Sequence, residues 1–403
     1  MPAVQSPNKP AHRRARKSRS EEKAFKNWLN AAAAKKIAAA LKRAWPEFPS
    51  EKFLKGIGKE LEPLELKARV LALKERLALT LPPEASRSFP LLRKALRRDD
   101  QDDIGLSGFL VWPLTQYVAE KGLEDFELSM GALHAMTQVF TAEFAIRPFL
   151  LRHEEKTLRQ LRAWLKDPSE HVRRLVSEGS RPLLPWGQKI PAFARDPLKT
   201  WPLLEALRDD ASEYVRTSVA NHLNDHSKNH GDWVVTRLQA WQDQAPSSAP
   251  LDRIIRRASR TLVKQGHSGA LALHGVTARD LRLSAVKILT PRVRLGGDLR
   301  VRLTITNASK KSTALIVDHE LDLLKASGRH APKVFKGKKT RLGPGESLTI
   351  EQSLKLKAVT TRTYHGGRQH WTPLVNGQRG RRLAFELLMP RPASSRRSGG
   401  PRR

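Results

Sequence analysis

The chain contains no cysteine, which excludes disulfides, iron–sulfur clusters and cysteine-ligated zinc. It is also short of acid. Asp and Glu number 40 against 74 Lys and Arg, a formal net charge of +34, and such an imbalance points to a polyanionic partner, nucleic acid first and an anionic membrane surface second. No apolar run approaches the roughly 20 residues that a spanning helix needs, so no membrane association is expected. No apolar segment near the start reads as a secretory signal, and the expected location is the cytoplasm, at the nucleoid. No His-rich metal spacing stands out.

The 403 residues suffice for two or three domains, each with its own core. Residues 1–22, including His12-Arg13-Arg14-Ala15-Arg16-Lys17, read as a disordered basic arm able to add phosphate contacts. From 23 to 267 the apolar spacing is helical. Leu133, Met136, Phe140 and Phe144 recur at intervals of three and four, as do Leu158, Leu161 and Leu165, then Val215, Val219 and Leu223. Two segments resemble each other: "LRQLRAWLKDPSEHVRRLVSEGS" from Leu158 and "WPLLEALRDDASEYVRTSVANHL" from Trp201. Placing Ser169 on Ser212 superposes Val172 on Val215, Arg173 on Arg216 and Val176 on Val219, a shift of 43 residues (169 to 212). That period fits helical-pair repeats of the HEAT type, about 40 to 47 residues long. In each copy a Ser-Glu pair after an Asp-rich turn is expected to start and cap a helix. Stacked pairs would form a solenoid with a concave face.

From 268 to 390 the period becomes two. "LRVRLTITN" from Leu299 and "SLTIEQSLKLK" from Ser347 alternate, with turn signals at Gly296-Gly297-Asp298, Gly343-Pro344-Gly345 and Asn376-Gly377. The fold class is therefore mainly α: a HEAT-like α-α solenoid followed by an all-β immunoglobulin-like sandwich. Residues 391–403 form a second basic tail.

Scarce acids on a basic scaffold call for an explanation. On a helical wheel of about 100° per residue, Asp225 shares a polar stripe with Tyr214, Ser218 and Asn221, opposite Val215, Val219 and Leu223. Glu178 falls with His171, Arg174 and Arg181, and Glu143 sits at the flank of an apolar helix that Pro148 soon interrupts. If these stripes line the concave face, three carboxylates from successive units converge in a basic groove. Local roles are open to each: Glu143 with Arg147 at i, i+4, Glu178 with Arg174 or Arg181, Asp225 as a turn cap. Near phosphate, however, an acid needs a compensating cation. A base alkylated on a ring nitrogen is such a cation, and its glycosidic bond breaks through an oxocarbenium-like sugar that carboxylates stabilise. That hydrolysis requires no metal or cofactor, so none is expected.

The strings "TAEFAIRPFL" at Thr141, "DPSEHVRRLVSEGSRPLLPW" at Asp167 and "ASEYVRTSVANHLNDHSKNH" at Ala211 resemble, in order and spacing, the AlkC branch of the alkylpurine DNA glycosylases built from HEAT-like repeats. The resemblance continues into the β domain. It implies hydrolysis of the N-glycosidic bond of cationic 3-methyladenine and 3-methylcytosine in duplex DNA, in base excision repair, without full base flipping. It assigns the catalytic acids to Glu143, Glu178 and Asp225 and a lesion-proximal tryptophan to Trp186, which could equally anchor a Pro-rich turn. Arg147, Arg174, Arg181, His222 and Lys228 are the phosphate candidates in the helical part. Arg362, Tyr364 and Arg368, in "TTRTYHGGRQHW", are the DNA-facing candidates in the β domain, which the resemblance has helping to encircle the duplex. Two departures stand out: Leu183 follows Arg181-Pro182 where an Arg is usual, and His365-Gly366-Gly367 replaces a Pro-Gly turn. The enzyme is expected to act as a monomer. The rival expectations are a non-catalytic HEAT-repeat nucleic-acid scaffold and a solenoid for acidic proteins.

Overall fold

The computed structural model describes residues 25–99, 101–244, 249–358 and 363–389. The arm at 1–22, Arg362 and the tail at 391–403 lie outside them. Among the described residues no helix is long and apolar enough to cross a membrane. The chain divides into two compact units between His226 and Ser227.

The first unit is helical: α1 (Ala31–Ala44), α2 (Ser50–Leu54), α3 (Ile57–Leu61), α4 (Leu66–Thr80), α5 (Ala85–Lys94), α6 (Trp112–Lys121), α7 (Phe126–Thr137), α8 (Arg147–Arg152), α9 (Glu154–Ala163), α10 (Glu170–Gly179), α11 (Pro191–Arg195), α12 (Trp201–Leu207) and α13 (Glu213–His226). Helix α4 packs on α6, α5 on α7 and α10 on α13. The last pair realises the 43-residue repeat (170 to 213). Val172, Leu175 and Val176 of α10 and Val215, Val219 and Leu223 of α13 are fully buried, each worth about 1.5–3 kcal/mol in apolar transfer.

The repeat extends to its polar atoms. Asp167 accepts from the Ser169 backbone N–H at 2.9 Å, and Asp210 from that of Ser212 at 2.8 Å. Arg173 donates to the carbonyls of Asp167 and Pro168, and Arg216 to those of Asp210 and Ala211. The helix starts are thus fixed chiefly by the aspartates; Ser169 makes no side-chain cap, while Ser212 Oγ accepts weakly from Tyr214 N–H at 3.2 Å. Arg173 also grips Asp210 bidentately at 2.7 and 3.0 Å, binding one repeat to the next.

One expected helix is interrupted. The apolar run through Phe144 suggested a helix that Pro148 breaks, but α7 ends at Thr137 and residues 143–146 form a turn. Thr141 Oγ1 accepts from Glu143 N–H at 3.2 Å, a local bond that competes with helix. Pro148 then stands in the first turn of α8, where its missing N–H costs nothing.

The second unit holds α14 (Gly231–Gln244), α15 (Ala249–Ala258), α16 (Arg260–Gln265), α17 (Ser268–Ala272) and the strands β1 (Leu281–Ile288), β2 (Arg292–Arg294), β3 (Asp298–Asn307), β4 (Thr313–Leu324), β5 (His330–Leu342), β6 (Ser347–Lys355), β7 (Gly367–Val375), β8 (Gln378–Arg379) and β9 (Leu383–Leu388). One sheet runs β1-β3-β6; the other runs β2-β9-β7-β4-β5, with β8 on β7. Alternate residues of β3, from Leu299 to Ile305, pack with Val317, Leu321, Trp371 and Phe385 between them. Trp371 Nε1 donates to His319 Nδ1 at 3.1 Å, and His319 Nε2 meets Gln352 Oε1 of the opposite sheet at 3.1 Å. The Asn376-Gly377 signal forms the β7–β8 turn, both residues at positive φ (46° and 79°) as a two-residue hairpin demands. Period alone set the sequence boundary at 267/268, whereas the compact unit reaches back to Ser227. Lys336 Nζ donates to the Val263 carbonyl at 3.3 Å, and Asn376 Nδ2 to that of Thr277 at 2.5 Å.

Candidate active site: a ladder of carboxylates and arginines

Three acids and two arginines of the first unit alternate along one chain of contacts. The 143–146 turn presents Glu143 to Arg174 of α10, whose Nη1 donates to Glu143 Oε2 and, at 2.8 Å, to Thr141 Oγ1. Arg174 Nη2 lies 3.5 Å from Glu178 Oε1, one turn along the same helix. Arg181 Nη1 donates to that oxygen at 2.7 Å, and its Nε donates to Asp225 Oδ2 on α13 at 2.9 Å. Ser218 Oγ donates to the other Glu178 oxygen at 2.7 Å. The order is Glu143, Arg174, Glu178, Arg181, Asp225, with a formal charge of −1 from three carboxylates and two guanidiniums.

The ladder is largely withdrawn from solvent. The Glu143, Glu178 and Asp225 side chains are 12%, 7% and 3% exposed, a gradient that leaves Glu143 the most accessible. Without the arginines the neighbouring carboxylates would repel one another; two like charges at about 4 Å in a medium of effective dielectric about 20 repel by about 4 kcal/mol. Burial opposes the charge on Arg174, but Glu143 and Glu178 outweigh it and hold the guanidinium above its ordinary range; burial likewise opposes Arg181, and Asp225 and Glu178 raise it. Beside Glu143 opens a pocket of about 340 Å³ lined by Phe140, Thr141, His171, Arg174 and Tyr214. The Arg174 guanidinium stacks 5.0 Å from the Tyr214 ring centre, and the ring is 43% exposed. His171 meets the ring edge-on at 5.9 Å. Among the described residues no three His, Asp or Glu side chains are placed to share a metal ion.

Several expected roles change. The acids do not project from open polar stripes: Glu178 and Asp225 are buried, because Arg174 and Arg181 turn inward to them instead of outward to phosphate. Arg147 does not pair with Glu143, nor can it reach a phosphate. It is fully buried, with Nε donating to the Gln188 carbonyl and Nη1 to that of Gly179 at 2.8 Å. His222 is buried as well, its Nδ1 at 2.9 Å from the Ser177 carbonyl. Burial first, then His226 and the charges of Arg181 and Arg147, push its pKa well down, so it is neutral and no phosphate ligand. Nε2 of His222, Oγ of Ser177 and Nη2 of Arg147 are buried without hydrogen-bond partners among the described residues.

Trp186 stands 64% exposed with φ at 65°, a conformation that costs a bulky residue roughly 1–3 kcal/mol. Its carbonyl accepts from Lys67 Nζ, and with Trp112, Phe144, Pro148 and Gln188 it lines a pocket of about 220 Å³. Lys228 is exposed, just past the first unit. In the sandwich Arg368 is exposed on β7, whereas Tyr364 is packed in the core and cannot face DNA. Sequence reasoning passed over Thr141 and Tyr214. Thr141 lies inside the first motif, and Tyr214 on the Asp225 stripe, but nothing in the sequence tied either to Arg174.

A helical-repeat unit with a buried acid ladder, followed by an immunoglobulin-like sandwich, defines a two-part protein of recognisable kind. Residues 282–389 match the family model described as "Uncharacterised protein YhaZ, C-terminal Ig-like domain". The uncharacterized protein YhaZ of Bacillus subtilis is 37% identical over 349 residues, covering 86% of this chain and 94% of its own. A solved structure of the Pseudomonas fluorescens alkylpurine DNA glycosylase AlkC, bound to DNA containing an abasic site analog, is 35% identical, with a TM-score of 0.76 over 90% of this chain and 99% of its own. The chain belongs to the AlkC-type family of alkylpurine DNA glycosylases.

Proposed function

We propose that this chain is a monofunctional DNA glycosylase of base excision repair, which hydrolyses the N-glycosidic bond of cationic alkylated bases in duplex DNA, 3-methyladenine first and 3-methylcytosine second. The observation that carries the reading is the acid ladder, three carboxylates fixed in place by two arginines, inside a fold shared with AlkC over 90% of the chain. When the bond breaks, its electron pair leaves with the base, which becomes neutral, and C1′ of the sugar becomes oxocarbenium-like. A fixed carboxylate stabilises that cation. Water then attacks C1′ and yields its proton to a carboxylate, leaving a free base and an abasic site. Glu143, the most accessible acid, is the candidate nearest the sugar. Glu178 and Asp225 supply a fixed negative field behind it, and the arginines hold all three in place. Trp186 would contact the lesion nucleotide, with the base approached in a bent duplex and not fully flipped. Arg368 and Lys228 remain candidates for phosphate contacts.

The test is to incubate the purified protein with methylated duplex and chromatograph the supernatant. Free 3-methyladenine with intact strands is expected. Folded, DNA-binding protein that releases no base would sink the enzymatic reading and leave a nucleic-acid-binding scaffold.

A further inference from the structure

Arg147 is one of the largest fully buried side chains, yet its guanidinium spans segments that carry three other site residues. Its backbone opens α8 directly after the turn bearing Glu143. Nη1 donates at 2.8 Å to the carbonyl of Gly179, which ends α10 next to Glu178. Nε donates to the carbonyl of Gln188, two residues past Trp186.

Two glycines make room for this arrangement. A Cβ on Gly179 would stand 2.6 Å from an Ile146 methyl carbon, and one on Gly187 would stand 2.9 Å from Leu184 Cδ2 and 3.3 Å from Arg147 Cδ. The chain therefore leaves out side chains at the two places where the α10 end and the Trp186 loop close on the arginine and its neighbours. Burial lowers the Arg147 pKa to about 10, which still leaves it charged at neutral pH.

We propose that Arg147 is a positioning residue that locks the Glu143 turn, the Glu178 end of α10 and the Trp186 loop into one register through charge-assisted hydrogen bonds to two main-chain carbonyls. It contacts neither the substrate nor the reacting atoms. A guanidinium suits the task because its planar fork offers donors in two fixed directions, whereas a lysine presents a single flexible point charge. The catalytic consequence rests on the glycosylase reading; the clamp itself does not.

The experiment compares Arg147→Met, Arg147→Lys and Gly187→Ala in three measurements: single-turnover base release from methylated duplex, affinity for a duplex carrying an abasic-site analogue, and hydrogen exchange across residues 179–190. A misplacement of about 1 Å costs roughly 100-fold in rate. Arg147→Met and Gly187→Ala are therefore expected to slow release by roughly 10- to 100-fold, with affinity held within about threefold. Arg147→Lys should restore only part of the rate. Faster exchange is expected at the amides of Gly187 and Ile190, which bond the carbonyls of Leu184 and Pro182. If Arg147→Met does not fold, Gly187→Ala, which keeps the guanidinium but crowds it, carries the same comparison. A rate loss expressed only as weaker DNA affinity would overturn the proposal. Unchanged exchange in the loop would overturn the clamp whether or not the wild-type protein releases base, while wild-type inactivity with altered exchange in the variants would count against the glycosylase reading alone.

Discussion

Glu178 is bonded on both carboxylate oxygens, to Arg181 on one and Ser218 on the other, while Asp225 holds the far side of Arg181. Replacing either acid by its amide keeps the shape and removes the charge. Glu178→Gln and Asp225→Asn are each expected to lower base release by roughly 100-fold or more while leaving duplex affinity nearly unchanged. Equal release by both variants and the wild type would refute the catalytic assignment. His222 gives a second expectation at this scale. Its folded pKa lies below the ordinary 6.5, so on acidification the unfolded chain takes up a proton that the folded chain refuses. The His222 contribution to stability is thus fully present above about pH 6.5 and is lost as pH falls toward the folded pKa, by at most about 1.4 kcal/mol per pH unit. His222→Gln should flatten the decline in melting temperature between pH 7 and 5; an unchanged slope would show that His222 already binds a proton when folded. His319, His274 and His370, also held low by burial, are expected to leave a residual slope. The motifs singled out the three acids, but not their pairing. Arg147, Arg174 and Arg181 look alike as letters, and only packing sends one to main-chain carbonyls and two to carboxylates.

Helices α10 and α13 are two copies of one device, and the Asp turn before each does double duty. Asp210 both accepts from the Ser212 backbone N–H and receives the Arg173 fork from the preceding repeat. Arg173→Ala removes the fork and the arginine's bonds to the Asp167 and Pro168 carbonyls, whereas Asp210→Ala removes the fork, frees the Ser212 N–H and leaves a partly buried guanidinium without its carboxylate. The expected losses, read by urea unfolding, are about 1–2 kcal/mol for the arginine and about 2–4 kcal/mol for the aspartate. Equal values would mean that the turn bond contributes no more than the carbonyl bonds that Arg173 also makes. The 43-residue period and the apolar faces were legible because Val and Leu spacing follows helix geometry. The end of α7 was not, since Phe140 and Phe144 continue the apolar period after the backbone has left the helix. Both rings still pack on Trp112, at 6.1 and 5.1 Å, and a side chain can serve a core from a turn as well as from a helix.

Across the whole molecule the net charge of +34 governs encounter with DNA. Duplex affinity is expected to fall steeply with salt; with 6–10 phosphate contacts the loss between 50 and 200 mM is roughly 10³–10⁵-fold. A flat titration would remove the polyanion argument. A chain ending at His226 follows the observed division into compact units, where a cut at 267 would strip α14–α16 from α17 and the strands they accompany. That shorter chain keeps the ladder and is expected to bind duplex more weakly than the full chain. Equal affinity in a fluorescence-anisotropy titration would deny the sandwich a part in binding.

Composition, period and motif spacing determined by themselves the basic character, the helical repeats, the change to strands in the C-terminal part and the motifs that carry the three acids, because each is a property of local residue order. Tertiary structure alone decided which polar groups face inward. The Coulomb attraction between Arg181 and Asp225, 44 residues apart, and the carbonyl bonds of Arg147 exist only once separate turns are packed together. That packing made a buried ladder of what had read as two open polar stripes and an acid on the flank of an apolar helix.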